Sequence, residues 1–328
     1  MNYRTLGSTG IKVSEIGFGA WAIGGATDAQ GVPVGWGHAT DEESLAALRR
    51  ARDLGVTFFD TADLYGYGRS ESLIGIVLSK VRDQVAIATK VGNVRTTSGQ
   101  VIKDFSKRHI FYAIDGSLKR LRTDYVDLYQ LHNPSLADLE RGSIQEAMEM
   151  LQSLGKIRFW GISVSTPQEG IAAIRNGWGY TLQVLYNVLN QSAAQELFPL
   201  ALRENFGIIA RVPLASGLLT GKYHLQSTFP VDDVRQNFLT PRRLAEALER
   251  IAEVKGIVGG EARSLGEAAL RFVLAEQAVS TVIPGARNAH QVELNVAASA
   301  ASLDPAIVDR LRERLGDCNF YERHSIRV

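Results

Sequence analysis

Cysteine is almost missing from this 328-residue chain: Cys318 is the only one. No intramolecular disulfide can form and no thiolate zinc cluster can assemble, so a reducing, cytoplasmic setting is expected. Blocks of like charge are absent too, and the formal net charge is +1. Without a basic stripe there is no electrostatic footprint for nucleic acid or for an anionic membrane surface. The opening MNYRTLGSTG has no apolar signal core, and the next apolar stretch, GFGAWAIGG, is far too short to cross a bilayer. Linkers rich in Pro, Gly or Ser and low-complexity tracts are also lacking, so residues 1–328 are expected to form one domain.

What is there is an alternation. With 45% hydrophobic and 22% charged residues, the composition is that of an ordinary globular protein. Short apolar runs read as strands at Glu15–Gly19, Val56–Phe59, Val85–Thr89, Val126–Leu131, Phe159–Ile162, Leu182–Val184, Gly207–Ala210 and Thr281–Ile283. Amphipathic stretches read as helices between them: Asp41–Leu54, Glu71–Lys80, Lys107–Leu121, Ile144–Leu154, Pro167–Arg175, Ala193–Glu204 and Ser264–Ala275. Continuously apolar strands alternating with helices imply parallel βαβ units buried on both faces. Eight such units in this length predict an α/β fold, a (β/α)8 TIM barrel, with a doubly wound open sheet as the competing architecture. Tyr3–Leu6 and Lys12–Ser14 bracket Gly7-Ser8-Thr9-Gly10 as an N-terminal β-hairpin, and extra C-terminal helices are expected at Ala289–Ala297 and Pro305–Leu315. Gly17-Phe18-Gly19-Ala20-Trp21-Ala22 matches the dinucleotide fingerprint GxGxxA, but Gly24-Gly25 follow where that fingerprint needs a helix.

In α/β barrels chemistry sits at the C-terminal ends of strands. The second run ends on Asp60, the third on Lys90 and the fourth on His132, with Tyr65 in the glycine-rich loop after the second. One polar strand end is what solvent demands; acid, base and imidazole on three adjacent strands, plus a phenol, form a pattern. A phenol titrates near 10 and is a poor acid–base catalyst at neutral pH unless its phenolate is stabilised. Lys90 would supply that stabilisation, Asp60 would hold Lys90, and His132 could donate a hydrogen bond to a carbonyl oxygen. This set suits protonating a carbonyl oxygen while hydride reaches the carbon, and the hydride calls for a nicotinamide.

These residues lie in motifs: GFGAW, DTADLYGYGRSE, IATKVG, DLYQLHNP, GISV, LQVLYN, PLASGLLTGKY and IPGARNAHQVELN. Their order and spacing resemble the aldo-keto reductase superfamily over nearly the whole chain. The resemblance implies NAD(P)H lying across the C-terminal mouth of the barrel, NADPH rather than NADH being favoured. It makes Asp60, Tyr65, Lys90 and His132 catalytic. Ser163 and Gln183 would hold the nicotinamide carboxamide, while Leu214, Ser216, Gly217 and Lys222 would cradle the pyrophosphate. Gly285 and Arg287 would sit at the adenosine 2′-position, and Gln291 and Asn295 at the adenine. Trp21, Trp36 and Asn133 would wall the substrate pocket.

The sequence departs from common family patterns in three places. Arg211 stands where many relatives carry an aromatic that stacks on the nicotinamide. Val164 follows Ser163 where some have Asn, and Gly285-Ala286 replace a Lys-Ser pair. Trp21 as core packing, and Arg287 and Lys222 as surface charges, remain alternatives. The remaining histidines show no ligand spacing, and no metal is expected. The resemblance implies a small-molecule carbonyl substrate, no nucleic acid or membrane partner, and is compatible with a homo-oligomer. Two other functions stay open: an NAD(P)+-dependent sugar or secondary-alcohol dehydrogenase, and a cofactor-sensing regulatory subunit of the potassium-channel β type. The lack of an extension before Tyr3 weighs toward the enzyme.

Overall fold

A computed structural model describes residues 1–326. Eight parallel strands, Phe18–Gly19, Phe58–Asp60, Ala86–Val91, Val126–His132, Ile157–Ser163, Thr181–Leu185, Gly207–Arg211 and Val279–Val282, pair strictly in chain order. Bridges from Ile16 to Val282 and from Gly19 to Gly285 join the first strand to the last. A curled sheet with its ends joined in this way fits a (β/α)8 barrel and excludes the open doubly wound sheet.

The two faces of each strand do different things. Alternate residues point to opposite sides, so Phe58, Ala86, Ala88, Leu128, Ile209 and Ile283 meet in an inner cluster. Their neighbours Phe59, Ile87, Tyr129, Leu131 and Ile208 pack outward against the helices. Two residues on from the inner cluster, the same inward faces carry Asp60, Lys90 and Gln130. The apolar floor is thus capped by a polar layer at the C-terminal end. At the opposite end the predicted hairpin, Tyr3–Thr5 paired antiparallel with Lys12–Ser14, adds Leu6, Ile11 and Val13 to the inner cluster.

Helix boundaries agree with the sequence where cap chemistry is explicit. The Thr166 hydroxyl accepts from the Glu169 N–H, the Glu169 carboxylate accepts from the Thr166 N–H, and Pro167 fills the first helical position. The helix runs Pro167–Arg175 as predicted, and Lys107–Leu121, Ala289–Ala297 and Pro305–Leu315 also keep their predicted bounds. The predicted helix at 193–204 is instead a 3-10 turn, Ser192–Ala194, followed by Leu197–Arg203. An additional helix, Pro241–Val258, lies where the strand–helix alternation has only one helix to place. Its buried stripe, Leu244, Ala247, Ile251, Val254 and Val258, has ordinary helical spacing. Two small hairpins rise from the C-terminal rim, Asp28–Ala29 with Val32–Pro33 and Asn93–Arg95 with Val101–Lys103. The GxGxxA stretch is followed only by a 3-10 turn, Ala22–Gly24, so it opens no phosphate-binding helix. Among the described residues no helix is long and apolar enough to cross a membrane.

The helix Arg69–Leu78 approaches Lys107–Leu121 through Gly75, where an added Cβ would sit 2.4 Å from the Arg120 carbonyl oxygen. Gly75→Ala should therefore separate two packed helices and cost about 1–3 kcal/mol. A lowered denaturant midpoint at unchanged m-value is the expected result; an unchanged midpoint would contradict this packing.

Candidate functional site

Asp60 ends the second barrel strand and Lys90 lies near the end of the third, both side chains turned into the polar layer. Lys90 Nζ is wholly buried and donates to Asp60 Oδ2 at 2.6 Å, to the Thr61 carbonyl at 2.8 Å and to the Tyr65 hydroxyl at 3.3 Å. An ammonium has three protons, and three acceptors take them. The other oxygen of Asp60 accepts from Gln183 Nε2 at 2.8 Å and Gln130 Nε2 at 3.0 Å. The carboxylate is therefore satisfied on both oxygens despite its burial. Burial pushes the Lys90 ammonium toward neutrality, but Asp60 and then Tyr65 outweigh it and hold Lys90 above the usual lysine range.

Tyr65 opens the 3-10 turn Tyr65–Gly68, whose second residue, Gly66, has φ +62°. A Cβ there would lie 2.4 Å from the Gly24 carbonyl oxygen, so this loop seats against the loop after the first strand only because residue 66 is glycine. Burial raises the phenol above the ordinary tyrosine range; Lys90 pulls it down, and Asp60 adds to the rise. The lowering expected from Lys90 is present but does not prevail, because desolvation of a phenolate at this depth is the larger effect. Tyr65 thus stays protonated. Since its oxygen accepts from Lys90, its own proton is left for a partner in the cavity.

Around the phenol, Trp21 stacks at 5.8 Å between ring centroids, with Trp36 edge-on to Trp21 at 5.2 Å. His132 stands at right angles to Tyr65 with centroids 6.0 Å apart. Trp21 also lines the cavity onto which Tyr65 opens. Burial, then Lys90, Lys103 and Arg211, hold the His132 imidazole well below the usual histidine range. It is a neutral hydrogen-bonding group at physiological pH.

Asp60, Gln183, Tyr65, Trp21, Trp36 and His132 open on one cavity of about 690 Å³. Every sequence-predicted site residue lines it except Lys90, which lies behind Tyr65 and Asp60. Ser163 donates to Asn133 Oδ1 at 2.9 Å. Arg211 lies buried beneath them and donates to the Val164 carbonyl at 3.2 Å. The next residues run through left-handed backbone: Val212 at φ +56°, Ala215 at +47°, Ser216 at +56° and Gly217 at +88°. A β-branched residue there is strained, and such strain gathers at binding loops. Tyr321 of the C-terminal segment donates to Ser216 Oγ at 2.8 Å, which ties that tail to this loop; residues 327 and 328 of the tail lie outside the described residues. At the far end, Lys222, Arg235 and Arg287 line the cavity around buried Asp233, which pairs with Arg235 and lies 3.6 Å from Arg287 Nη2. That Arg287 nitrogen is buried and makes no hydrogen bond. Gln291 accepts from the Arg287 N–H at 2.9 Å, and Asn295 donates to the Gly285 carbonyl at 3.4 Å.

Gln130, Arg235, Asp233 and Tyr321 are not marked by strand ends. Gln130 was legible by alternation, since it sits two residues before His132 and so on the same face. Arg235 and Asp233 lie in the aperiodic segment Tyr223–Phe238, expected as a pocket wall but with no residue in it marked out; Arg235 lines the cavity and Asp233 holds it from behind.

The neutral imidazole has a consequence for stability. In the unfolded chain His132 takes up a proton near pH 6.5, whereas in the folded state it does so only at lower pH. The unfolded state binds more protons in that window, so this group costs stability as pH falls below 6.5. The ring nitrogen NMR shifts of His132 should remain those of neutral imidazole at pH 6; a midpoint near 6.5 would contradict the environment described.

The residues at 15–315 match the Aldo/keto reductase family. The Bacillus subtilis (strain 168) protein named Aldo-keto reductase YhdN is 32% identical over 300 residues, covering 89% of this chain and 87% of that one. A probable voltage-gated potassium channel subunit beta of Oryza sativa subsp. japonica is 30% identical over 333 residues, covering 95% of each. The solved holo form of an aldo-keto reductase from Bacillus halodurans superposes with a TM-score of 0.80 at 29% identity, covering 99% of both chains. The chain belongs to the aldo/keto reductase family of NAD(P)H-dependent oxidoreductases.

Proposed function

We propose that this protein, as a single barrel domain, reduces the carbonyl of an aldehyde, ketone or sugar to an alcohol with NADPH, using Tyr65 as the general acid. The observation that carries this reading is the saturated Lys90 ammonium. Its third proton goes to the Tyr65 oxygen, so the phenol can give its proton only toward the cavity. As that proton leaves, negative charge grows on an oxygen 3.3 Å from a fixed cation, where it is stabilised most. Asp60 keeps the cation in place. His132, neutral and beside Tyr65, is the donor that orients the substrate oxygen, and Trp21 and Trp36 exclude water from the reacting face.

The nicotinamide, when bound, supplies hydride to the carbonyl carbon as the oxygen takes the Tyr65 proton. The residues present fit such a cofactor. Ser163 and Gln183 offer carboxamide partners at the deep end of the cavity, and the left-handed run Ala215-Ser216-Gly217 lies midway. Lys222, Arg235 and Arg287 gather cations at the outer end. The buried Arg287 Nη2 without a hydrogen bond favours a 2′-phosphate, and hence NADPH over NADH.

The channel-subunit relative keeps a second reading alive, a cofactor-sensing subunit that serves a partner protein. Turnover separates the two. Purified protein should oxidise NADPH with an aromatic aldehyde. Tyr65→Phe should lower that turnover by about 10²–10⁴-fold while leaving NADPH affinity near wild type. A fully active Tyr65→Phe would remove the phenol from the mechanism. Tight cofactor binding with no turnover of any carbonyl or alcohol would move the weight to sensing.

The cation cluster gives a separate expectation. Arg287→Ala should weaken NADPH binding by roughly tenfold or more, the scale of a charge-assisted hydrogen bond, and leave NADH almost untouched. Equal weakening of both cofactors would show that Arg287 does not meet the 2′-phosphate.

A further inference from the structure

At the cavity floor lies a triangle of buried polar side chains, Asp60, Gln130 and Gln183. Gln130 is wholly buried and does not line the cavity; Gln183 does. Gln183 Nε2 donates to Asp60 Oδ1 at 2.8 Å and lies 3.3 Å from Gln130 Oε1, while Gln130 Nε2 donates to Asp60 Oδ1 at 3.0 Å.

The chemistry of the three groups fixes their orientation. An ionised carboxylate only accepts, so both amides must turn their nitrogens to it. Gln183 then spends one Nε2 proton on Asp60 and the other on Gln130. Flipping the Gln183 amide would set its oxygen against two acceptors at once, Asp60 Oδ1 and Gln130 Oε1. Gln130 therefore locks Gln183, and the polar atom that Gln183 has left for the cavity is its carbonyl oxygen. Gln130 also supplies one of the two donors that keep Asp60 Oδ1 turned away from Lys90, so that Lys90 meets Oδ2 alone.

We propose that Gln130 is a positioning residue of the reduction. It acts through Asp60 to set how Lys90 is shared with Tyr65, and through Gln183 to present an acceptor to the amide protons of the nicotinamide carboxamide. The proposal rests on the carbonyl-reduction reading above. With Gln130 gone, Asp60 Oδ1 loses a donor and turns to compete for the ammonium. The contact that loosens is the longest of the three, Lys90 to Tyr65 at 3.3 Å. A phenol with a weaker hold on the cation ionises at higher pH and is the poorer acid. Gln183, with one proton released, is no longer held to one amide orientation.

Gln130→Met keeps the volume and removes both hydrogen bonds. In this variant kcat for aldehyde reduction should fall roughly tenfold, as expected for losing a hydrogen bond to a charged group, and the NADPH dissociation constant should rise several-fold because Gln183 is no longer held to one amide orientation. The half-rise of alcohol oxidation with pH, which reports ionisation of the acid, should move upward. A merely structural role would lower thermal stability and leave that midpoint in place. Should the variant fail to fold, Gln130→Glu serves. As a neutral carboxylic acid it donates to Asp60, and once ionised it repels Asp60, so its turnover should decline with rising pH through a limb absent from wild type. Wild-type kcat and an unmoved midpoint in Gln130→Met, or no new limb in Gln130→Glu, would overturn the inference. If wild-type protein reduces no carbonyl at all, it is the reading of the activity that fails, and the two failures are told apart by that control.

Discussion

Lys90 carries a full positive charge with none of its surface exposed, and much of the site follows from accommodating it. A lone buried ammonium would lose its proton, because desolvation costs far more than a single neutral hydrogen bond returns. Here one carboxylate and two oxygens surround it at 2.6, 2.8 and 3.3 Å, each from a different part of the second barrel strand and the loop behind it. The carboxylate is itself buried and needs its own donors, which come from Gln130 on the fourth strand and Gln183 on the sixth. One charge thus ties four strands and a loop into a single polar layer. The Tyr65 phenol is the member of that layer that brings a transferable proton to the cavity.

The same field explains the histidine. Lys90, Lys103 and Arg211 surround His132, and burial adds to their effect, so the imidazole is kept neutral in the pH range where histidine usually charges. The division of labour is electrostatic: the phenol holds a proton because its anion is poorly solvated, and the imidazole refuses one because cations are already there. At the far end of the cavity Arg235 and Arg287 pair with one buried carboxylate, Asp233, and Lys222 lines the same end, so positive charge is in excess there.

Much of this architecture can be read in the sequence, and the reasons are specific. Continuous apolar runs report strands buried on both faces, and their polar last residues report the mouth. Asp60, Lys90 and His132 are visible on that ground alone. Tyr65 is visible because a phenol in a glycine-rich loop beside those ends has few other reasons to be there. Cap chemistry made helix bounds such as Pro167–Arg175 legible. The helix Pro241–Val258 escaped the alternation because two helices separate the seventh and eighth strands. The segment Tyr223–Phe238 reads from the sequence as a wall of the pocket, but within that aperiodic stretch nothing singles out Asp233 or Arg235. The balance at Tyr65 was also out of reach: adjacency to Lys90 is a sequence-level guess, but the depth of burial that outweighs it is a property of the fold.

The central claim is that Asp60 and Lys90 act as one unit on Tyr65. The most direct test is a double-mutant cycle on kcat with Asp60→Asn, Lys90→Met and the two combined. If the carboxylate works through the ammonium, the double variant should be no slower than Lys90→Met alone, because removing Asp60 matters only while Lys90 is there to be held. Losses that multiply in the double variant would mean that the two residues contribute independently, and the coupled unit described above would not be what drives the reaction.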